Sequence, residues 1–229
     1  MEMDFLNPAL LARIPKEAKH ILDLGCGDGR IGKKIKELQE CSVVGVNISE
    51  SEAQAASKSL DKVIIGDLNN FDISNLGKFD CIICSHILEH LYQPQQSLMH
   101  LHRDFNPDGI LVVGLPNILF WRCRFSFLAG NFKYIRGTAT DPTHMHFFDR
   151  KSSRQLIEGA GYEVLSQQAD GNFPLPFIRR FIPILAEKID RFALNHWPGM
   201  FGVQFIITAR SRIDKSCVNI NTLLSGDNS

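Results

Sequence analysis

The sequence predicts an α/β fold: a parallel β-sheet with helices packed on both faces. Three observations lead there. Five short apolar segments, bounded by turn or helix residues, recur in the first half of the chain, as strands buried on both faces do. The first runs straight into Gly25, Gly27 and Gly29 and then into a helical pattern. Four strand ends carry groups suited to a ligand, at Gly25, Asn47, Asp67 and Ser85. Parallel sheets bind ligands beyond the carboxyl ends of their strands.

Residues 5–15 space Leu6, Leu10, Leu11 and Ile14 as a short helix ending at Pro15. Ile21, Leu22 and Leu24 form the first strand, and Ile31, Ile35 and Leu38 then recur at helical spacing. That helix, 30–39, turns Lys33, Lys34, Lys36 and Glu37 to solvent. Ser42–Asn47 is the second strand, and Ser49 with Glu52 predicts a capping box for an alanine-rich helix. Val63–Asp67 and Phe79–Ser85 are the third and fourth strands. Pro94 opens a helix with Leu98, Leu101 and Phe105 inward. Asp108-Gly109 turns the chain into the fifth strand, Ile110–Leu115. Asp149 is the expected cap of a helix over 150–160, stopped by Gly161. Tyr162–Leu165 and Gly202–Ala209 complete the strands, and the polar tail from Asp214 has little to bury.

A chain of 229 residues suits one domain. Residues 1–210 form it, 116–149 and 173–198 are insertions on the substrate side, and 211–229 is a tail. Lys+Arg and Asp+Glu both number 25, so no global field draws nucleic acid. Cys81 and Cys84 make a CxxC, but on a strand an offset of three points them to opposite faces, against a redox or zinc pair. No signal peptide opens the sequence, and no apolar run reaches the roughly 20 residues needed to cross a bilayer. A reduced, cytoplasmic, soluble protein is expected.

The glycine turn narrows the ligand. A dinucleotide fingerprint wants glycine at the sixth position, where this chain has Arg30. Asp23, two residues before the first glycine, would repel a pyrophosphate but suits an ammonium group. Both residues oppose a nicotinamide-dependent enzyme.

Residues 116–149 have a different composition. Trp121, Arg122, Arg124, Phe125, Phe127, Lys133, Tyr134 and Arg136 follow one another with no Asp or Glu between Asp108 and Asp141. Such a tract suits an anionic or sugar-bearing substrate, or packs Arg stems on an amphipathic helix. In Asp141–Phe148, His144 and His146 share a face if extended. No third ligand lies nearby at a familiar spacing, so a general base or a substrate-positioning pair is expected rather than a metal. In 173–198, Ile178, Phe181, Ile182, Leu185, Ile189 and Phe192 fall on one face with a kink at Pro183. This segment reads as a lid or extra layer, and a basic amphipathic segment can also rest on a membrane surface.

Asp23–Gly29, Asp67, Leu88–Leu91, Asp108-Gly109 and Gly161-Tyr162 together resemble the class I S-adenosylmethionine-dependent methyltransferases. Leu115-Pro116-Asn117, Trp121 and Asp141–Phe148 further resemble a subgroup found with cell-surface glycan or O-antigen biosynthesis genes, and the methyltransferase-like proteins of methionine biosynthesis. The resemblance implies a Rossmann-like seven-stranded sheet with the last strand antiparallel and a substrate-lid region. It implies S-adenosyl-L-methionine as cofactor, held by Asp23, Gly25, Cys26, Gly27, Asn47, Ile48, Asp67, Leu68 and Ser85. In the family the second strand ends in an acid that takes both ribose hydroxyls, and here that position is Asn47. Asp67 would take the adenine amino group; as an Asp at a strand end it equally suits a turn cap. Asn117, Trp121 and Arg122 are the acceptor-side candidates, and His90, His144 and His146 the candidate bases. The sulfonium already activates the methyl group, so the protein need only align a nucleophile and take its proton. A catalytically degenerate relative, kept for binding or regulation, is the alternative, with Asn47 as its sign.

Overall fold

The computed structural model describes residues 7–70 and 76–212. Leu6, Cys217 and the tail from Asp214 lie outside them, as does the side chain of Ile178. The chain begins with α1 (Pro8–Leu11), β1 (His20–Leu24), α2 (Arg30–Leu38), β2 (Ser42–Asn47), α3 (Glu50–Ala56) and β3 (Lys62–Ile65). It continues through β4 (Phe79–Ser85), a 3₁₀ turn at Leu88–His90, α4 (Pro94–His100), β5 (Phe105–Pro116), α5 (Trp121–Leu128) and α6 (Arg150–Gly159). It closes with β6 (Tyr162–Gly171), α7 (Pro176–Phe181), α8 (Pro183–His196), α9 (Pro198–Phe201) and β7 (Gly202–Ser211).

The strands form one seven-stranded sheet in the order β3-β2-β1-β4-β5-β7-β6. The first five pair in parallel, and β7 runs antiparallel to both β5 and β6. This is the expected sheet with its last strand reversed. Two apolar layers cover it. One contains Leu22, Leu24, Cys84, Leu111 and Tyr162; the other contains Ile21, Ile35, Cys81, Ile83 and Val112. Cys81 and Cys84 therefore lie on opposite faces, as strand alternation requires. Burial pushes both thiols up, so both stay protonated and inert.

Several boundaries depart from the sequence reading. Helix α1 is one turn long, capped by Asn7, whose Oδ1 accepts from Leu10 N at 3.1 Å. The expected Asp108-Gly109 turn lies inside β5 as an irregularity. Phe79 pairs with Phe105 and Cys81 with Ile110, so the register jumps there, and Asp108 adopts a left-handed φ of 61°. The apolar run from Ile110 marked only the half of β5 buried in the sheet. Strand β6 runs on past Leu165 to Gly171. It is an edge strand with one neighbour, so its polar outer half shows no apolar pattern to read.

The 173–198 segment breaks at Pro183 as expected, and small residues rather than the large apolar ones face the body. Helix α8 buries Ala186, Asp190 and Ala193, while Phe181, Ile182, Leu185 and Phe192 are exposed. Small residues allow close approach to the body, and Asp190 supplies the anchor. Its carboxylate accepts from Phe173 N at 2.8 Å and from both terminal nitrogens of Arg179 at 2.8 and 3.0 Å.

Tyr162 ties β6 to α4. Its hydroxyl donates to Leu98 O at 2.8 Å, and its ring stacks on His102 at 4.1 Å. Tyr162→Phe keeps the ring and loses one buried hydrogen bond, which should cost about 0.5–1.5 kcal/mol. Urea denaturation of both proteins measures the difference, and equal midpoints would show that the hydroxyl contributes nothing.

Candidate functional site

The site forms where β1, β2 and β4 end. After Leu24 the chain turns sharply, with Gly25, Gly27 and Gly29 at φ of 75°, 53° and 83°, values that only glycine adopts without strain. Gly25 N and Cys26 N both donate to Val46 O, at 2.9 and 3.1 Å, which fastens the turn to β2. A Cβ on Gly29 would lie 2.9 Å from Ala56 Cα, so this glycine lets α3 close on the turn. Gly27 differs: a Cβ there would meet nothing within 4 Å. Its backbone faces open space that a ligand can enter.

Asp23 lies beneath the turn, fully buried, and neither carboxylate oxygen has a partner. Burial raises its pKa from 3.8 to about 7. An unpaired buried carboxylate is costly, and a cationic ammonium above the turn would favour its ionised form. Asp23 is fully shielded, with the backbone of the turn between its carboxylate and the open space above. Cys26 packs its side chain into the core and its N–H is taken by Val46, so neither group reaches a ligand.

Asn47 is buried and fully occupied. Its Nδ2 donates to Gly27 O at 3.0 Å and to Glu52 Oε2 at 2.9 Å, and its Oδ1 accepts from Ser49 N at 3.1 Å. The amide that was to serve ribose hydroxyls instead clamps the glycine turn to α3. It also takes the N–H that the predicted capping box assigned to Glu52. Only half of that box forms, with Ser49 Oγ accepting from Glu52 N at 3.4 Å. Glu52, which the sequence reading used only as a cap, thus brings a carboxylate to the strand end that lacks one. Ile48 beside it is exposed.

Asp67 stands two residues beyond β3. Its Oδ1 accepts from Asn69 N at 3.0 Å and from Asn69 Nδ2 at 2.9 Å, the turn-cap geometry of an Asx residue. A cleft of about 640 Å³ opens next to this turn, lined by Leu68, Asn69, Ile87, Leu88 and Tyr92 among others. Of the expected cofactor residues it includes only Leu68, so the cofactor set is better located by the strand ends than by this cleft.

Beyond Ser85 lies a polar network. His86 has a left-handed φ of 51°; its Nε2 lies 2.7 Å from Gln204 Oε1 and its Nδ1 3.3 Å from Glu89 Oε1. Gln204 Nε2 donates to Asp170 Oδ2 at 2.7 Å. A carboxylate only accepts, so the amide must turn its oxygen to His86, and both ring nitrogens of His86 face acceptors. Desolvation alone would lower the pKa of His86, but Glu89 and Gln204 raise it overall. Glu89 is fully buried, and its Oε2 has no partner.

Glu89 also gathers two candidate bases. Met145 N and His146 N donate to Glu89 O at 2.9 and 3.2 Å, which brings the 139–148 loop over the 3₁₀ turn. His144 is buried with Nε2 4.0 Å from Glu89 Oε1, and its ring meets that of His90 edge-on at 4.7 Å. Burial lowers the pKa of His144, keeping it neutral. His146 does not join them: its Nε2 lies 3.3 Å from Tyr92 O and its ring stacks on Phe148. Asp141 tightens the loop, accepting from Gly137 N, Thr143 N and Thr143 Oγ1 at 2.6, 2.9 and 2.6 Å.

The acceptor-side candidates separate. Asn117 is fully buried and spends its side chain on backbone, donating to Gly199 O at 3.0 Å and Gly202 O at 2.7 Å and accepting from Leu119 N at 3.0 Å. It pins α9 against the end of β5. Arg122 is exposed and stacks over Trp121 at 5.2 Å. A largely apolar cavity of about 180 Å³ is lined by Asn117, Phe120, Arg122, Phe127 and Lys133 among others.

A sheet of this order with one reversed strand, and a glycine turn over a buried acid, define a Rossmann-like class I fold of the kind that binds S-adenosylmethionine. The chain belongs to the methyltransferase domain family, whose model matches residues 3–167. It is similar to the mitochondrial ubiquinone biosynthesis O-methyltransferase of Schizosaccharomyces pombe, 34% identical over 48% of this chain and 43% of that one. It is also similar to the ubiquinone biosynthesis O-methyltransferase of Coxiella burnetii, 26% identical over 71% of this chain and 73% of that one. The match thus spans less than half the length of the yeast relative. A solved S-adenosylmethionine-dependent methyltransferase from Mesorhizobium loti shares the fold, with a TM-score of 0.61 at 19% identity over 89% of this chain and 96% of that one. The family and the fold imply a methyltransferase domain with S-adenosyl-L-methionine as its cofactor. The glycine turn, the open face at Gly27 and the unpaired Asp23 fit that group.

Asp23 provides a test. Its native pKa of about 7 lies above the ordinary carboxylate value of 3.8, so between those pH values the native state holds a proton that the unfolded state has released. The contribution of Asp23 to stability therefore falls as pH rises through that window. Asp23→Asn removes the effect, so the variant should gain on the parent as pH rises from 5 to 8 in the absence of cofactor. Melting temperatures of both proteins at the two pH values check this, and a pH-independent difference would contradict it.

Proposed function

We propose that the chain transfers a methyl group from S-adenosylmethionine to a hydroxyl of a small, anionic acceptor, glycan-type compounds included. The observation that carries this reading is the cluster of Glu89, His90 and His144 just beyond Ser85, on the side of the sheet where the methyl donor binds. The similarity to O-methyltransferases supports a hydroxyl acceptor. The basic tract of Arg122, Arg124, Lys133 and Arg136, free of carboxylates, supports an anionic one.

When bound, the cofactor supplies an electrophilic methyl group on a sulfonium. Gly25, Gly27 and Ser85 would approach it through backbone, Leu68 and Ile48 would flank the adenosine, and Asp67 would offer its edge the Oδ2 that now accepts from Asn70 Nδ2 at 3.3 Å. Asn47 holds the turn in shape. Trp121 and Arg122 would seat the acceptor, with Asn117 fixing the wall behind them. The cluster of His90 and His144 on Glu89 promotes loss of the acceptor proton, a role worth about 10²–10⁴-fold, while His146 holds the loop at Tyr92. Residues 1–210 act as one domain with 116–149 and 173–198 on the acceptor side. Among the described residues no helix is long and apolar enough to cross a membrane. The exposed Phe181, Ile184 and Phe192 of the 173–198 segment support peripheral contact with a bilayer. Free cysteines at 26, 41, 81, 84 and 123 support a reducing, cytoplasmic setting.

Saturating S-adenosylhomocysteine, at about 100 times its dissociation constant, should add about 2.7 kcal/mol of stability. For a chain of this size that is a rise of roughly 5–10 °C in melting temperature. His144→Ala should keep this shift and lower turnover of a hydroxyl acceptor by about 10²-fold or more. A variant that loses cofactor binding in parallel with turnover would remove His144 from the proton-transfer role.

A further inference from the structure

We infer that Glu89, His90 and His144 hold a divalent transition-metal cation, with zinc-like preference, and that this cation binds the acceptor oxygen. The inference rests on the O-methyl transfer reading above and specifies how the cluster removes the acceptor proton.

Three features point to a cation. The first is proximity: one ligand atom from each of the three residues lies within 4.8 Å of the others. Bonds of about 2.0–2.2 Å require closure by roughly an ångström, within reach of small side-chain rotations. The second is an unmet need, since Glu89 is fully buried and its Oε2 has no partner. A buried carboxylate oxygen with no protein donor is costly to keep, and a cation is a partner that would satisfy it.

The third feature is the state of the two imidazoles. His90 Nδ1 faces Thr143 O at 3.1 Å, and His144 Nδ1 faces Ala139 O at 3.3 Å. A carbonyl only accepts, so each Nδ1 carries the hydrogen and each Nε2 is left with its lone pair. His144 Nε2 points towards Glu89. Backbone carbonyls that fix the tautomer and aim the opposite nitrogen are the usual outer shell of metal-binding histidines. Both carbonyls belong to the 139–148 loop, which Asp141 braces and Glu89 O secures.

Two imidazoles and one carboxylate form a donor set for zinc-like cations and a poor one for magnesium or calcium, which prefer oxygen throughout. Three protein ligands leave a position open. An acceptor hydroxyl bound there releases its proton to solvent at a lower pH than it would unbound. Its oxygen then forms a bond to the methyl carbon as the carbon–sulfur bond of the sulfonium breaks, and that electron pair stays on sulfur. Methyl donor, acceptor and proton all balance, with no further reactant.

The test uses the full chain, stripped with a chelator and titrated with Co²⁺ as a spectroscopic probe, then with Zn²⁺ and Mg²⁺ in competition. We expect one equivalent of Co²⁺ with visible absorption of a low-coordinate N/O site, no sulfur-to-cobalt charge transfer, displacement by Zn²⁺ and indifference to Mg²⁺. Glu89→Gln and His144→Ala should each weaken Co²⁺ binding by roughly tenfold or more. Should either unfold, His90→Gln on the half-exposed ligand replaces it, with circular dichroism as the folding check. Absence of stoichiometric Co²⁺ binding, a thiolate spectrum, or binding unchanged in the variants would each overturn the site. The melting shift with S-adenosylhomocysteine, measured on the same samples, separates the two readings. A cofactor shift without metal binding defeats only the cation site. Metal binding without methylation of any hydroxyl acceptor defeats the proposed reaction while leaving the site in place.

Discussion

Glu89 is a carboxylate shut away from water, and much of the active end of the molecule is arranged to satisfy it. Its backbone carbonyl collects the 139–148 loop through Met145 and His146. Its side chain faces His86 and, beyond it, His144. From His86 the chain of contacts passes through Gln204 on β7 to Asp170 on β6. Buried polar groups tolerate few arrangements, so this one residue couples the end of β4, the acceptor loop and the two last strands. Loss of it would leave several groups without partners at once.

The cofactor side follows a different logic. Its shape comes from backbone, through three glycines in a left-handed conformation and two N–H groups tied to Val46. Little side-chain chemistry faces the ligand directly. Asp23 contributes charge from beneath, and Asn47 spends its amide on rigidity. Such a site is preorganised by backbone geometry, and of its polar residues Asn47 departs from the acid that the family resemblance implies.

The class and most elements of the fold were legible from local signals. Strands buried on both faces read as apolar runs, and the Gly25–Gly29 turn announces itself by composition. Signals failed where a residue's partner is distant. Asn47 looked like a weakened ribose ligand because nothing local shows that Gly27 and Glu52 compete for its amide. His144 and His146 looked like a pair because they share a face in extension. The fold instead pairs His144 with Glu89 and His90, over fifty residues earlier, and turns His146 to Tyr92. The apolar stripe of α8 is legible in the sequence, but hydrophobicity alone does not reveal that Ala186 and Ala193 pack against the body while Phe192 stays exposed. The outer half of β6 was missed because an edge strand needs no apolar alternation.

The sheet order has a consequence for how the chain is made. Strand β7 lies between β5 and β6, yet it is the last of the described strands in sequence. Until it is synthesised, β6 has no strand partner and β5 presents an open edge, the kind of template that invites pairing with another chain. Gln204, the link between His86 and Asp170, arrives on the same strand. A chain that stops before residue 202 would therefore hold a nearly complete sheet that is both sticky and without its polar bridge.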